Sequence, residues 1–178
     1  MPMGITSENV AAEFGVDRLT QDTLAFESHQ KAAAALKAGL LQAEITPYDT
    51  IVKDKDGNET TVRVDKDDGC RPTTTVAGLG KLRAAFQKNG TTTAGNSSQV
   101  TDGASCILLA RRDVANRQGC KIIGRIVSFA TAGVPPKVMG IGPAYAIPAA
   151  LERCGLSIPD IDIFEVNEAF ASQATYCV

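Results

Sequence analysis

The apolar positions of this chain first recur at helical spacing. Val10, Ala11 and Phe14 define one stripe, with Thr6 expected as its N-cap and Gly15 as its stop. Leu19, Leu24, Phe26, Ala33 and Leu36 define a second, longer helix from about Asp17 to Ala38. Asp17 can cap it, Gly39 ends it, and the alanines of 32–35 favour it. The pattern then turns to short polar strands. Residues 44–48 read as extended, punctuated by Pro47. Residues 51–55 and 60–64 flank Asp56-Gly57-Asn58, and that turn chemistry predicts an exposed β-hairpin. Helical spacing returns over 76–86 through Leu79, Leu82 and Phe86. Residues 91–99, a run of Thr, Ala, Gly, Asn and Ser, follow neither period. They read as a loop whose small residues let backbone approach a ligand.

From Gly103 the character changes to short continuous apolar runs. Residues 106–110 and 122–127 suit buried strands, with a short helix at 113–117 between them. Val134-Pro135-Pro136 and Gly140-Ile141-Gly142-Pro143 are turn material around Met139. Residues 144–154 read as a helix stopped by Gly155. Residues 161–166 read as a strand, and NEAFASQATYCV from Asn167 as a helix whose first turn carries Glu168. Strand and helix alternate here, which argues a layered α/β structure. The terminal strand and helix need neighbours to bury both faces, so the sequence is expected to be an internal piece of a longer protein.

Length and composition narrow the function classes. With 178 residues the chain is one full domain or pieces of two. Eighteen basic and twenty acidic residues leave a net charge of −2, which disfavours a diffuse nucleic-acid or anionic-membrane binder. No apolar run approaches the roughly 18 residues of a membrane-spanning helix, and the first twenty residues lack the pattern of a secretory signal. Trp is absent, so aromatic platforms for single-stranded nucleic acid are not expected. Cysteines stand at 70, 106, 120, 154 and 177, with no C-x-x-C and a single His. A zinc site of the usual spacing is therefore not expected, and the odd count reads as reduced thiols. P-loop, dinucleotide and G-x-S-x-G patterns are missing. His29, within a polar helical stretch, reads as a solvent-exposed residue. Asp65, Asp67 and Asp68 read as a solvated acidic turn.

Four segments occur together and in order: PMGITSENVA at 2–11, TTTAGNSSQVTDGA at 91–104, GVPPKVMGIGPAYAIP at 133–148 and VNEAFASQ at 166–173. The chain thereby resembles the thiolase family over essentially its whole length, nearest in wording to the peroxisomal-type 3-ketoacyl-CoA branch. The resemblance implies an α/β thiolase fold, layered α/β/α/β/α and incomplete, with an α+β loop domain. Residues 1–100 would be most of the CoA-covering loop domain, 101–121 the last part of the N-terminal thiolase domain, and 122–178 the start of the C-terminal one. It implies acyl transfer: thiolytic cleavage of 3-ketoacyl-CoA by CoA to acetyl-CoA and a shortened acyl-CoA, as in fatty acid β-oxidation, or the reverse Claisen condensation. CoA would be a substrate, with no metal or other cofactor. Partners would be 3-ketoacyl-CoA and CoA, with no nucleic acid and no membrane insertion, in a peroxisomal homodimer or homotetramer. The family places its nucleophilic Cys before the segment matching Met3, and its His and second Cys after NEAF. The chain alone is therefore expected to be inactive. The alternative is a non-catalytic acyl-CoA-binding module.

The resemblance also gives individual residues roles beside their ordinary readings. Asn167 resembles the family Asn that holds a water in an oxyanion hole, where related ketoacyl synthases carry His; alone it reads first as a helix N-cap after a strand. Phe170 resembles the apolar wall beside the reacting carbons; alone it reads as core. Arg71 resembles the Arg near the nucleotide phosphates, to which a guanidinium gives bidentate bonds; alone it is a surface residue after a turn. Met3, Phe86 and Met139 resemble pantetheine-lining residues. Ala94 would leave room beside adenine, and Ser98 would bond a pantetheine amide; alone both belong to an ordinary loop. The five cysteines match no catalytic position of the family.

Overall fold

Pro2 pre-sets an extended residue ahead of the first helix, and in the computed structural model, which describes residues 1–178, helix α1 runs Met3–Phe14. Thr6 is not its cap as expected: it lies one turn inside, its hydroxyl donating back to the Met3 carbonyl at 2.6 Å. Gly15, at φ 70°, ends the helix in the left-handed conformation that glycine adopts without strain. Helix α2 (Arg18–Lys37) starts as expected, with the Asp17 carboxylate accepting the Thr20 N–H at 2.7 Å. That backbone bond holds the Asp17 carboxyl below the usual carboxylate range. The cap therefore contributes above the unfolded-state value and is lost as pH falls through the folded-state one.

The expected apolar stripe of α2 is half-buried at Leu24, Phe26, Ala33 and Leu36, but it is not the face that is fully buried. Leu19 is 64 % exposed, while Gln21 and Asp22 are the buried residues. After α2, residues 42–44 form a short 3₁₀ turn where extended chain was expected to begin. The hairpin forms from β1 (Tyr48–Lys53) and β2 (Glu59–Val64), antiparallel, with Lys53 opposite Glu59. Its first strand starts three residues earlier than the pattern suggested. Asp54 closes the turn by accepting the Asp56 and Asn58 N–H groups, both at 2.9 Å. Helix α3 spans only Val76–Gly80, not the expected 76–86. Gly78 and Gly80 weaken it, and the chain then turns so that the Ala85 N–H reaches the Thr92 carbonyl at 2.9 Å.

Helices α4 (Arg112–Arg117) and α5 (Gly142–Glu152) match the expected segments, the latter following a 3₁₀ turn at 136–141. Helix α6 spans Ala171–Cys177, four residues later than the expected start at Asn167. The strands expected at 106–110, 122–127 and 161–166 do not form: β1 and β2 make the only sheet. A strand needs a partner for its N–H and C=O groups, and none of these runs has one. Their side chains stand in solvent, Ile123 being 95 % exposed and Leu108 and Ile163 also exposed. The layered architecture is thus present in its helices and absent in its sheets.

The interior has two parts. Val10, Val138 and Ile141 form the apolar one, packed with Phe14, Val134 and Tyr176. The Phe14 and Tyr176 rings lie 4.3 Å apart, joining α1 to α6. The other part is polar: ten of the twenty buried residues are hydrophilic, and eight of them, Ser7, Glu8, Gln21, Asp22, Thr92, Thr93, Asn96 and Ser172, form the hydrogen-bonded seam described next. The uncovered apolar runs set an expected outcome for the 178-residue chain expressed alone. It binds a hydrophobic dye, self-associates and melts over a broad range; a monodisperse, dye-free chain with one sharp transition would contradict this.

Candidate functional site

A loop of small polar residues cannot hold its shape by apolar packing, and its buried N–H groups must be satisfied. In the 91–99 loop the partner comes from α1. Glu8, only 4 % exposed, accepts the Thr91 N–H at 2.8 Å, the Thr91 hydroxyl at 3.1 Å and the Thr92 N–H at 2.9 Å. Gly90 makes room for this grip, since a Cβ there would collide with the Glu8 carboxylate. Further along, Asn96 Oδ1 accepts the Thr93 N–H at 2.7 Å, and Asn96 Nδ2 donates to the Thr91 carbonyl and to Asp22 Oδ1, each at 3.0 Å. Asp22 is paired with Arg18 at 2.7 Å, and Arg18 also donates to the Leu79 and Leu82 carbonyls. Ser7 joins the Thr92 and Ser172 hydroxyls at 2.7 and 2.8 Å, which ties α1, the loop and α6 together. This polar seam is why α2 buries Gln21 and Asp22.

The loop is then stitched to the segment before α6. Ser97 and Phe170 form an isolated antiparallel bridge, flanked by Ser98 N–H to Ala169 carbonyl and Ala171 N–H to Asn96 carbonyl, both 2.9 Å. Phe170 is extended within this bridge at φ −141°, so α6 can only begin beyond it. Asn167 consequently stands outside the helix and is not its N-cap, which removes the ordinary reading of that residue.

Between α2 and the stitched segments lies a cavity of about 550 Å³. Leu24, Ala25, Ser28, His29 and Ala32 give one wall, residues 95–99 a second, Asn167 to Ala169 a third, and Gly69 with Cys70 close one end. Ser98 and Asn167, far apart in sequence, face it together. Arg71 follows Cys70 directly; its side chain is exposed and its N–H donates to His29 Nδ1 at 3.3 Å. Ala94 is exposed on the loop beside Gly95. Phe170 meets Phe86 edge to face, with centroids 6.3 Å apart. The Phe86 ring also lies on the backbone of Gly4, so this apolar strip adjoins Met3. Met3 and Met139 are half-exposed and neither lines the cavity; Met139 lies in the 136–141 turn packed against α1.

Three cavity residues were not anticipated as such. His29 is half-buried in the wall rather than solvent-exposed, and it anchors the 70–71 turn through Nδ1. Ser28 donates to Glu168 Oε2 at 2.6 Å, spanning the cavity. The signal existed: Ala25, Ser28, His29 and Ala32 form one helical stripe of small and polar residues, with Leu24 beside it. Cys70 is half-buried, its thiol donating to the His29 carbonyl at 3.7 Å. The lining otherwise offers neutral amides and hydroxyls, groups suited to carbonyl oxygens and amides of a ligand.

Residues 1–113 match the thiolase N-terminal domain and residues 120–178 the thiolase C-terminal domain. Over all 178 residues the chain is 60 % identical to the peroxisomal 3-ketoacyl-CoA thiolase of Homo sapiens, and it spans 42 % of that protein's length. It superposes on the dimeric peroxisomal thiolase of Saccharomyces cerevisiae with a TM-score of 0.86 at 53 % identity, covering 99 % of this chain and 43 % of that one. It superposes on human mitochondrial 3-ketoacyl-CoA thiolase in complex with CoA with a TM-score of 0.84 at 38 % identity, covering 99 % and 42 %.

The seam beneath the cavity gives a direct test. Glu8→Ala removes the acceptor of both N–H groups and leaves buried amides unpaired, a loss of about 1–3 kcal/mol in denaturant unfolding. Hydrogen exchange at the Thr91 and Thr92 amides accelerates in the same variant. Unchanged exchange at both amides would remove Glu8 as the anchor.

Proposed function

The chain belongs to the thiolase family, and on that premise we propose that it supplies the thioester-binding part of a 3-ketoacyl-CoA thiolase. The whole protein that contains this sequence cleaves 3-ketoacyl-CoA with CoA, giving acetyl-CoA and an acyl-CoA shortened by two carbons, or runs the Claisen condensation in reverse. The chain's thiolase fold, whose structural neighbours include the yeast and human enzymes, is completed by segments against which its exposed apolar runs at 106–110, 122–127 and 161–166 become strands. Residues 1–100 belong to the CoA-covering loop domain, 101–121 to the end of the N-terminal domain and 122–178 to the start of the C-terminal one. The nucleophilic Cys, its activating His and the second Cys come from flanking segments. CoA enters as substrate, and no metal takes part. Peroxisomal location follows the relatives so named and dimeric assembly the yeast thiolase, with a tetramer of such dimers as the alternative assembly.

The roles follow from chemistry. When the nucleophilic sulfur attacks the 3-keto carbonyl, negative charge develops on oxygen. When the C–C bond breaks, charge develops on the thioester oxygen of the departing enolate. Asn167, through a held water, donates a hydrogen bond to that oxygen; being neutral, the amide stabilises charge without trapping it as an ion pair would. Ser98 bonds a pantetheine amide and Ala94 leaves space beside adenine. Arg71, exposed next to the cavity's end, pairs with nucleotide phosphate. Met3, Phe86 and Met139 line the pantetheine arm, and Phe170 walls the reacting carbons.

One observation carries the reading: Ser98 and Asn167 border the same cavity, held there by two 2.9 Å backbone bonds. Kinetics of the whole protein test it. Asn167→Ala lowers kcat about 10²–10³-fold with KM for CoA little changed. Arg71→Ala does the reverse, raising KM for CoA about tenfold at similar kcat. CoA binding without any thiolysis by the unmodified protein would replace this reading with a non-catalytic acyl-CoA-binding module.

A further inference from the structure

The Asn167 side chain is exposed and makes no hydrogen bond to the protein. Nothing in its own contacts therefore sets the direction of its amide. The backbone that carries it is placed by residues 168 and 169, which carry the two attachments nearest to it. Ala169 is held through backbone, its carbonyl accepting the Ser98 N–H at 2.9 Å. Glu168 is held through its side chain, Oε2 accepting the Ser28 hydroxyl at 2.6 Å across 140 residues of sequence.

That second attachment has the properties of a positioning bond. Its length is that of a charge-assisted O–H···O⁻ contact, the stronger class of hydrogen bond. Ser28 stands in the middle of the twenty-residue helix α2, itself fixed at one end by the Asp22–Asn96 contact. A serine at such a position can instead bond the carbonyl one turn back, here that of Leu24. Its hydroxyl is turned to Glu168 across the cavity, so the bond joins α2 to the segment that carries Asn167. The bridge at Ser97 and Phe170 fixes only the far end of residues 167–169; a second tether at 168 removes the remaining rotation about the chain. Glu168 is also the carboxylate nearest Asn167 in sequence, and the Ser28 hydroxyl gives it a donor partner beside a site where negative charge develops.

We propose that Ser28 and Glu168 form a positioning pair that aims the Asn167 amide into the cavity. The proposal rests on the reading of Asn167 as the oxyanion group, and it adds residues that act through Asn167 without touching substrate.

Kinetics of the whole protein separate the two ideas. Ser28→Ala and Glu168→Ala each lower kcat about tenfold, as expected for losing one hydrogen bond to a charged group, while KM for CoA stays near its original value. Ser28→Thr retains most of kcat because the hydroxyl donor remains, and Glu168→Gln falls less far than Glu168→Ala, because an oxygen acceptor remains although the charge assistance is lost. In the Asn167→Ala background, Ser28→Ala has no further effect on kcat, since the group it aims is gone. A full additional loss in that background overturns the proposal by making Ser28 independent of Asn167. So does an unchanged kcat for Ser28→Ala while Asn167→Ala is impaired, in which case the oxyanion reading stands. A loss in Glu168→Gln as deep as in Glu168→Ala also overturns it, because charge rather than tethering would then matter. If Asn167→Ala itself leaves kcat unchanged, the oxyanion reading fails and the pair has nothing to aim.

Discussion

The buried carboxylate of Glu8 holds the rest of the site in place. Removing a charge from water is costly unless partners replace its hydration, and here the replacements are the N–H groups of Thr91 and Thr92 and the Thr91 hydroxyl. The exchange is mutual: the loop's amides need an acceptor as much as the carboxylate needs donors. From that junction the order propagates outward. Thr92 is held by Ser7, Thr93 by Asn96, Asn96 by Asp22, and Asp22 by Arg18. The loop so fixed can offer its edge at Ser97 and Ser98 to the segment before α6.

Directionality explains why this interior is polar. Apolar packing would bury the loop without specifying which way its carbonyls and hydroxyls face. Hydrogen bonds to fixed side chains specify both, and they leave Ala94 and Ser98 exposed at the outer edge. The apolar cluster of Val10, Val138 and Ile141 meanwhile joins α1 to the 136–141 turn and α6. One helix thus serves both interiors, with Ser7 and Glu8 in one and Val10 in the other.

Much of this was legible in the sequence where the signal is local. Asp17 and Gly15 bound their helices, Asp56-Gly57-Asn58 marked the hairpin, and Gly155 ended α5's turn, because caps and turns are decided by neighbouring residues. The strands at 106–110, 122–127 and 161–166 were misread for the opposite reason. An apolar run shows what could be buried, but a strand exists only when another strand completes it. Polar burial was equally hidden. Glu8, Asp22 and Asn96 carry no mark that separates them from surface residues, since each makes a contact that the sequence places more than seventy positions away. His29 looked exposed for the same reason. The role assigned to Asn167 came from family resemblance. What the structure added is that this residue is no helix cap and that it shares a cavity with Ser98.

The most direct measurement is a crystal structure of the whole protein with CoA bound. The expected result is one continuous ligand path, with the nucleotide near Arg71 and Ala94, pantetheine beside Ser98 and the Phe86 and Phe170 rings, and the sulfur end directed toward Asn167. CoA seated elsewhere, or Ser98 and Asn167 opening into separate clefts, would contradict the account.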